Sequence, residues 1–238
     1  MTGKILSIES MGLVDGPGVR TVVFMQGCNL RCKFCHNPDS WSLRGGQEIS
    51  SQELIEKIKR YKPYYKDNGG VTFSGGEPLL QPDFLIEMLT FCKEENIHTC
   101  LDTAGVGVGR YREILNLCDL VLYDVKAVDS DSYKWLCIQE INKTQEFLLS
   151  LQESKTPTVV RQVIVPTVND NEEYINKLVS YVKENIPTAT EIELLPYHNM
   201  ALKKYEKLGI KYPLENIEPM DKTRLNKLNE YLKKIWED

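Results

Sequence analysis

Apolar positions along this chain come in two rhythms that alternate. Short, continuous runs rich in β-branched and aromatic residues predict strands over 22–25, 71–73, 98–101, 120–125, 159–165 and 191–195. Between and after them, apolar residues recur every three or four positions and predict helices over 51–58, 82–96, 111–118, 130–152, 172–185 and 221–236. Strands separated by helices imply parallel pairing with right-handed crossovers. No linker or low-complexity segment interrupts the six units, so residues 1–238 read as a single α/β domain with a parallel sheet.

Strand order alone leaves two architectures open, a doubly wound sheet and an incomplete barrel. Polar residues narrow the choice. Gly75-Gly76-Glu77 follows the second strand, Asp102 ends the third, Asp124 and Lys126 end the fourth, and His198 follows the sixth. A cysteine-bearing loop follows the first. In parallel β/α folds these positions share the carboxyl-end face, where the chemistry is placed. Contributions from many separate strand ends favour a curved sheet closing on one site, an incomplete (β/α)6 TIM-like barrel. A doubly wound sheet would gather them at one switch point.

Composition excludes several classes. With 42% hydrophobic and 26% charged residues, the chain is ordinary for a soluble globular protein. A net charge of −5 argues against nucleic acid as the main partner. No apolar run is long enough to span a bilayer, and residues 1–10 lack the apolar centre of a signal peptide. Seven cysteines are an odd number, and Cys92, Cys100, Cys118 and Cys137 are scattered as buried small hydrophobes would be. These features place the chain in a reducing cytoplasm, read as a monomer with no membrane association.

The remaining three cysteines form the run Cys28-Asn29-Leu30-Arg31-Cys32-Lys33-Phe34-Cys35, a C-x3-C-x2-C spacing. Three thiolates so close can hold three corners of a [4Fe–4S] cluster and leave the fourth iron open to a substrate or cofactor. A structural zinc site would need a fourth ligand, and His36, directly after Cys35, is poorly placed for it. S-adenosylmethionine suits an open iron, since its amino and carboxylate groups chelate and its sulfonium accepts one electron with C–S cleavage.

The other candidates have both a functional and an ordinary reading. Gly75-Gly76-Glu77 would let backbone approach a ligand, or be a plain turn. Asp102, Thr103 and Asp124 would hold a cation, monovalent or divalent, or cap helices. Lys126 would pair with a ligand carboxylate, or snorkel. His198 would contact the adenosyl group. Arg161, inside an apolar strand, would point outward or serve a substrate, and the second is favoured. Asp15-Gly16-Pro17-Gly18 is a rigid turn that would border a substrate channel.

These motifs, with Gln26-Gly27-Cys28, Cys35-His36-Asn37, His98 through Thr103 and Glu193 through His198, resemble the radical S-adenosylmethionine superfamily, and within it the activating enzymes of glycyl radical enzymes. The resemblance implies an incomplete (β/α)6 barrel with Cys28, Cys32 and Cys35 on a [4Fe–4S] cluster. It implies an S-adenosylmethionine pocket lined by Phe34, His36, Gly76, Asp124, Val125, Lys126 and His198, and a cation at Asp102, Thr103 and Asp124. Flavodoxin or ferredoxin would supply the electron. A 5′-deoxyadenosyl radical would take hydrogen from a glycine Cα of the partner enzyme. The cysteine-rich insert of many such activators is absent, because no cysteine falls between Cys35 and Cys92. The chain departs from the pattern at Phe34, at Pro78 and in Trp135 through Glu140, which lacks an expected glycine. Rival readings are a radical enzyme acting on a small molecule such as a deazapurine precursor, an activator of anaerobic ribonucleotide reductase, and a plain electron-transfer module.

Overall fold

The computed structural model describes residues 1–237. Its strands are β1 (Thr2–Gly12), β2 (Arg20–Met25), β3 (Gln47–Ser50), β4 (Gly70–Gly75), β5 (His98–Thr103), β6 (Leu120–Asp124), β7 (Thr158–Ile164) and β8 (Ala189–Pro196). The α-helices are α1 (Ser51–Lys59), α2 (Lys62–Tyr65), α3 (Pro82–Glu94), α4 (Tyr111–Leu117), α5 (Ser130–Cys137), α6 (Gln145–Ser154), α7 (Glu172–Asn185), α8 (Leu202–Leu208) and α9 (Lys222–Glu237). All eight strands belong to one sheet in the order β3-β1-β2-β4-β5-β6-β7-β8. The six expected strands run parallel from β2 to β8. The sheet is open, and its shape is that of a partial TIM barrel.

Two strands were not expected. β1 runs antiparallel to β2 and to β3, and together they extend the sheet beyond its parallel part. Both are mostly polar: β3 buries only Ile49, so neither carries a strong apolar run. The expected continuous helix over 130–152 is also broken. α5 stops at Ile138, which adopts a left-handed conformation with φ 56° and ψ 38°, and a 3-10 turn at Ile141–Thr144 precedes α6. The cause lies in tertiary structure, since the Leu136 and Cys137 carbonyls accept from Lys33 and Arg31 N–H of the cysteine loop.

Helix starts follow local chemistry. The Ser50 hydroxyl accepts from Glu53 N–H at the head of α1, Pro82 opens α3, and Asn171 accepts from Tyr174 N–H at the head of α7. Strand register then sorts side chains between the faces. Phe73, Leu101, Tyr123 and Val160 form one face and are buried with the apolar sides of α3, α6 and α7 in the main core. The alternate positions include Asp102, Asp124, Arg161 and Glu193, because Asp102 pairs Leu122, Asp124 pairs Arg161, and Arg161 pairs Glu193. Register thus puts a row of charges on the other face of the sheet.

Candidate active site

The cysteine loop leaves the carboxyl end of β2 and is gripped on two sides. Arg31 N–H donates to the Cys137 carbonyl at 3.0 Å and Lys33 N–H to the Leu136 carbonyl at 2.9 Å, tying it to the end of α5. Across the loop, the Tyr205 hydroxyl of α8 donates to the Cys35 carbonyl at 3.3 Å, and Lys204 Nζ donates to Asn37 Oδ1 at 2.7 Å. Cys32 is buried in a small second core with Leu30, Ala104, Val106, Ala127, Tyr133, Leu136 and Cys137, against which Cys28, Phe34 and Cys35 pack. All three thiols are free.

Burial pushes the Cys28 thiol up to about 12 and the Cys35 thiol up to about 11. The contact with Cys137, and then burial, raises Cys32 well above its ordinary value. Cys32 is buried and Cys28 and Cys35 are half-buried, and a soft metal binding all three would replace their protons. Among the described residues, no three His, Cys, Asp or Glu side chains converge on a point as a single metal ion requires. A cubane presents its irons at separate corners and asks for thiolates around a larger volume.

The glycine turn packs on the root of the cysteine loop. Gly76 N–H donates to the Met25 carbonyl at 2.9 Å and Glu77 N–H to the Gly27 carbonyl at 2.8 Å. Gly75 has φ +101°, and a Cβ on Gly76 would stand 2.2 Å from the Gly27 carbonyl oxygen. The glycines let the turn dock on the root of the cysteine loop, so their first partner is the protein itself. Glu77 is buried and braces the next strand: its carboxylate accepts from the Thr103 hydroxyl at 2.6 Å and from the N–H groups of Ala104 and Leu79 at 3.0 and 3.2 Å. Burial outweighs these bonds and raises its carboxyl to about 7.

Arg161 lies between two carboxylates, with Nη2 2.5 Å from Asp102 Oδ1 and Nε 3.0 Å from Asp124 Oδ1. The Ser74 hydroxyl donates to Asp102 Oδ2 at 2.5 Å, and Lys126 Nζ donates to Asp124 Oδ2 at 2.8 Å. Burial pushes both carboxyls up. At Asp124 the Arg161 and Lys126 charges prevail and hold it below the usual carboxylate range, while at Asp102 burial prevails. The three donors expected to share a cation are thus engaged separately. Thr103 turns to Glu77, and Arg161 occupies the space between the aspartates, so no cation pocket is preformed.

Lys126 Nζ also stands 5.6 Å from the centre of the Phe34 ring, which links the charged row to the cysteine loop. Val125 is buried, and its N–H donates to the Arg161 carbonyl at 3.0 Å. The His36 and His198 rings meet edge to face, with centroids 4.7 Å apart. His198 Nδ1 is buried without a partner among the described residues, an atom that a bound ligand would satisfy. Beyond Arg161, a cavity of about 620 Å³ runs along β6, β7 and β8 and is bordered by Val14, Gly16, Pro17 and Glu193. Gly16 and Pro17 of the Asp15-Gly16-Pro17-Gly18 turn thus line a cavity. Sequence reasoning read Ser74 only as part of the glycine turn, without its bond to Asp102, and missed the grip of α8 and Cys137 beside Cys32.

A family model described as the Radical SAM superfamily matches residues 22–179. The chain belongs to the radical S-adenosylmethionine superfamily. Radical S-adenosylmethionine enzymes use a [4Fe–4S] cluster and S-adenosylmethionine, and this chain is an enzyme of that kind. It is 53% identical over 236 residues to a pyruvate formate-lyase-activating enzyme of Clostridium pasteurianum, covering 99% of each chain. It is 41% identical over 224 residues to one of Listeria monocytogenes, covering 91% of this chain and 90% of that one. Among solved structures, a domain of a pyruvate-formate lyase-activating enzyme from Bacteroides vulgatus superposes with a TM-score of 0.56 at 26% identity, over 70% of this chain and 94% of that one. Streptococcus suis SuiB bound to S-adenosylmethionine shares the fold, with a TM-score of 0.67 at 22% identity over 88% of this chain and 45% of that one.

Proposed function

We propose that this enzyme activates a glycyl radical enzyme, pyruvate formate-lyase, in the cytoplasm, and that residues 1–238 act as one partial-barrel domain. The full-length match to the Clostridium pasteurianum activating enzyme carries the reading. Cys28, Cys32 and Cys35 would hold the cluster, on one loop at the carboxyl end of β2. When bound, it would supply the one-electron chemistry that breaks a C–S bond of S-adenosylmethionine to give methionine and a 5′-deoxyadenosyl radical, which would take a hydrogen atom from the partner's glycine Cα and become 5′-deoxyadenosine.

The chain's own residues bind and orient. Lys126 would present its ammonium to the S-adenosylmethionine carboxylate, held in place by Asp124 and the Phe34 ring. His198 would offer its unpaired Nδ1 to the adenosyl group, with His36 packed against it. Gly75, Gly76 and Glu77 would fix the pocket's floor through β2 and Thr103. Arg161, Asp102 and Asp124 would form its charged wall, with the Val125 backbone tied to it through the Arg161 carbonyl. A monovalent cation would enter that wall only by drawing Asp102 and Asp124 away from Arg161. The cavity beside Val14 and Pro17 is open enough to admit a polypeptide loop. Flavodoxin or ferredoxin would bring the electron to the side of the loop bearing Arg31 and Lys33.

The test is anaerobic electron paramagnetic resonance of pyruvate formate-lyase after mixing with this enzyme, reductant and S-adenosylmethionine. A glycyl radical signal on the lyase is expected. Cleavage of S-adenosylmethionine with label lost from a small metabolite, and no protein radical, would replace this reading with the small-molecule one.

A further inference from the structure

Cys137 is not among the cysteines that the cluster motif accounts for. It is fully buried at the last turn of α5, and the Cys32 thiol donates to its sulfur at 3.7 Å. Its carbonyl and that of Leu136 take the N–H groups of Arg31 and Lys33, the residues on either side of Cys32. The end of α5 therefore fixes both the backbone around Cys32 and a second sulfur beside it. Tyr133, one turn earlier and buried in the same small core, keeps its hydroxyl without a partner among the described residues.

Chemistry decides the direction of the sulfur contact once iron is bound. A coordinating cysteine has lost its proton, so Cys32 can then only accept. The remaining S–H of the pair belongs to Cys137, and the donation reverses. Hydrogen bonds to cluster sulfurs withdraw charge from them and stabilise the more electron-rich, reduced state. We propose that Cys137 is a positioning residue for the cluster, its thiol donating to the Cys32 ligand sulfur and raising the cluster's reduction potential. This rests on the cluster ligation proposed above. The residue acts on electron input, the step before S-adenosylmethionine cleavage, and touches neither substrate nor iron.

The test is a reductive titration of the anaerobically reconstituted holoenzyme, followed by electron paramagnetic resonance. Cys137→Val removes the donor at nearly constant volume, and Cys137→Ser keeps a donor. Cys137→Val is expected to lower the reduction equilibrium constant about tenfold, a shift of about 59 mV for a one-electron couple. Cys137→Ser is expected to retain most of the wild-type potential. The proposal is overturned if Cys137→Val holds its full iron and titrates with wild type. It is equally overturned if both variants lose the cluster as a Cys32→Ala variant does, which would make Cys137 a ligand or a structural support. A wild-type protein that binds no cluster, or binds one and leaves S-adenosylmethionine intact, would defeat the functional reading instead.

Discussion

The cysteine loop and the charged row of β5, β6 and β7 lie side by side, yet they are built on opposite principles. In the row, both oxygens of Asp102 and of Asp124 meet a cation or a hydroxyl, and Arg161 and Lys126 are paired in turn. In the loop, burial pushes the Cys28 and Cys35 thiols toward their neutral forms, and the Cys137 contact followed by burial does the same to Cys32. Nearby, His198 Nδ1 has no partner among the described residues. A satisfied polar network in a buried position specifies geometry. An unsatisfied one is the part of the site still to be completed by something that is not protein. The difference separates the groups that shape the pocket from those that await a ligand.

The largest effect should come from breaking the unsatisfied half. Replacing any one of Cys28, Cys32 or Cys35 by Ala is expected to abolish cluster assembly and S-adenosylmethionine cleavage, read by iron content and by methionine release. A variant that keeps both would remove that cysteine from the ligand set. Breaking the satisfied half should instead cost folding. Arg161→Met leaves Asp102 and Asp124 buried without their shared cation, and destabilisation of about 3–5 kcal/mol is expected in urea unfolding. A loss near zero would mean that water reaches the aspartates and that the row is not the rigid wall described.

Lys126 belongs to both halves, and its removal sharpens the boundary. Lys126→Ala should weaken equilibrium binding of S-adenosylmethionine roughly tenfold to a hundredfold, the value of a hydrogen bond to a charged group. Asp124 keeps Arg161 in that variant, so the unfolding midpoint should move less than in Arg161→Met. An unchanged dissociation constant would return Lys126 to a purely structural place.

How much of this was legible in the sequence depends on whether a feature is local. The six parallel strands were visible because strands buried on both faces are continuous apolar runs, as at Val71 through Phe73 and Leu120 through Tyr123. The site's location followed from them, since parallel topology brings all carboxyl ends together. β1 and β3 were not visible, because an edge hairpin that buries little beyond Ile5 and Ile49 has no such signature. The break after α5 was invisible for another reason: its carbonyls are claimed by N–H groups more than a hundred residues away in sequence. A separate long-range contact hid a further use of Gly76, whose absent side chain makes room for the backbone of Gly27. Cys137 read as one more small apolar residue, because nothing local in the sequence places its sulfur beside that of Cys32.

A pH experiment probes the satisfied half without removing it. The Glu77 carboxyl stands at about 7 in the folded protein, against roughly 4.3 in an unfolded chain. Between those values the native state binds a proton that the unfolded state does not. Its stabilising contribution is complete below about pH 4 and is lost as pH rises through 7. The expected decline is ~3–4 kcal/mol. Asp124, held low, works in the opposite sense at more acidic pH, so the difference between wild type and Glu77→Gln is the useful quantity. That difference should change across pH 4–7 and be flat above 8. A flat difference throughout would mean that the three hydrogen bonds to Glu77 hold it ionised.

The smallest effect tests the joint between the two halves, the end of α5. Ile138 is a β-branched residue at φ 56°, a conformation that costs such a side chain about 1–2 kcal/mol. Its side chain is 65% exposed, so little burial would be lost on truncation. Ile138→Gly relieves the strain but gives the unfolded chain more freedom, which offsets about 0.4–1 kcal/mol. A net gain of about 0.5–1 kcal/mol is expected in urea unfolding. The reduction potential should stay where it was, because the Cys137 thiol and the two carbonyl contacts lie before the substituted residue. Higher stability with a constant potential would separate the loop's anchoring from its electronic environment. A potential that moves with Ile138→Gly would instead tie the Cys32–Cys137 contact to the strain of the turn that follows it.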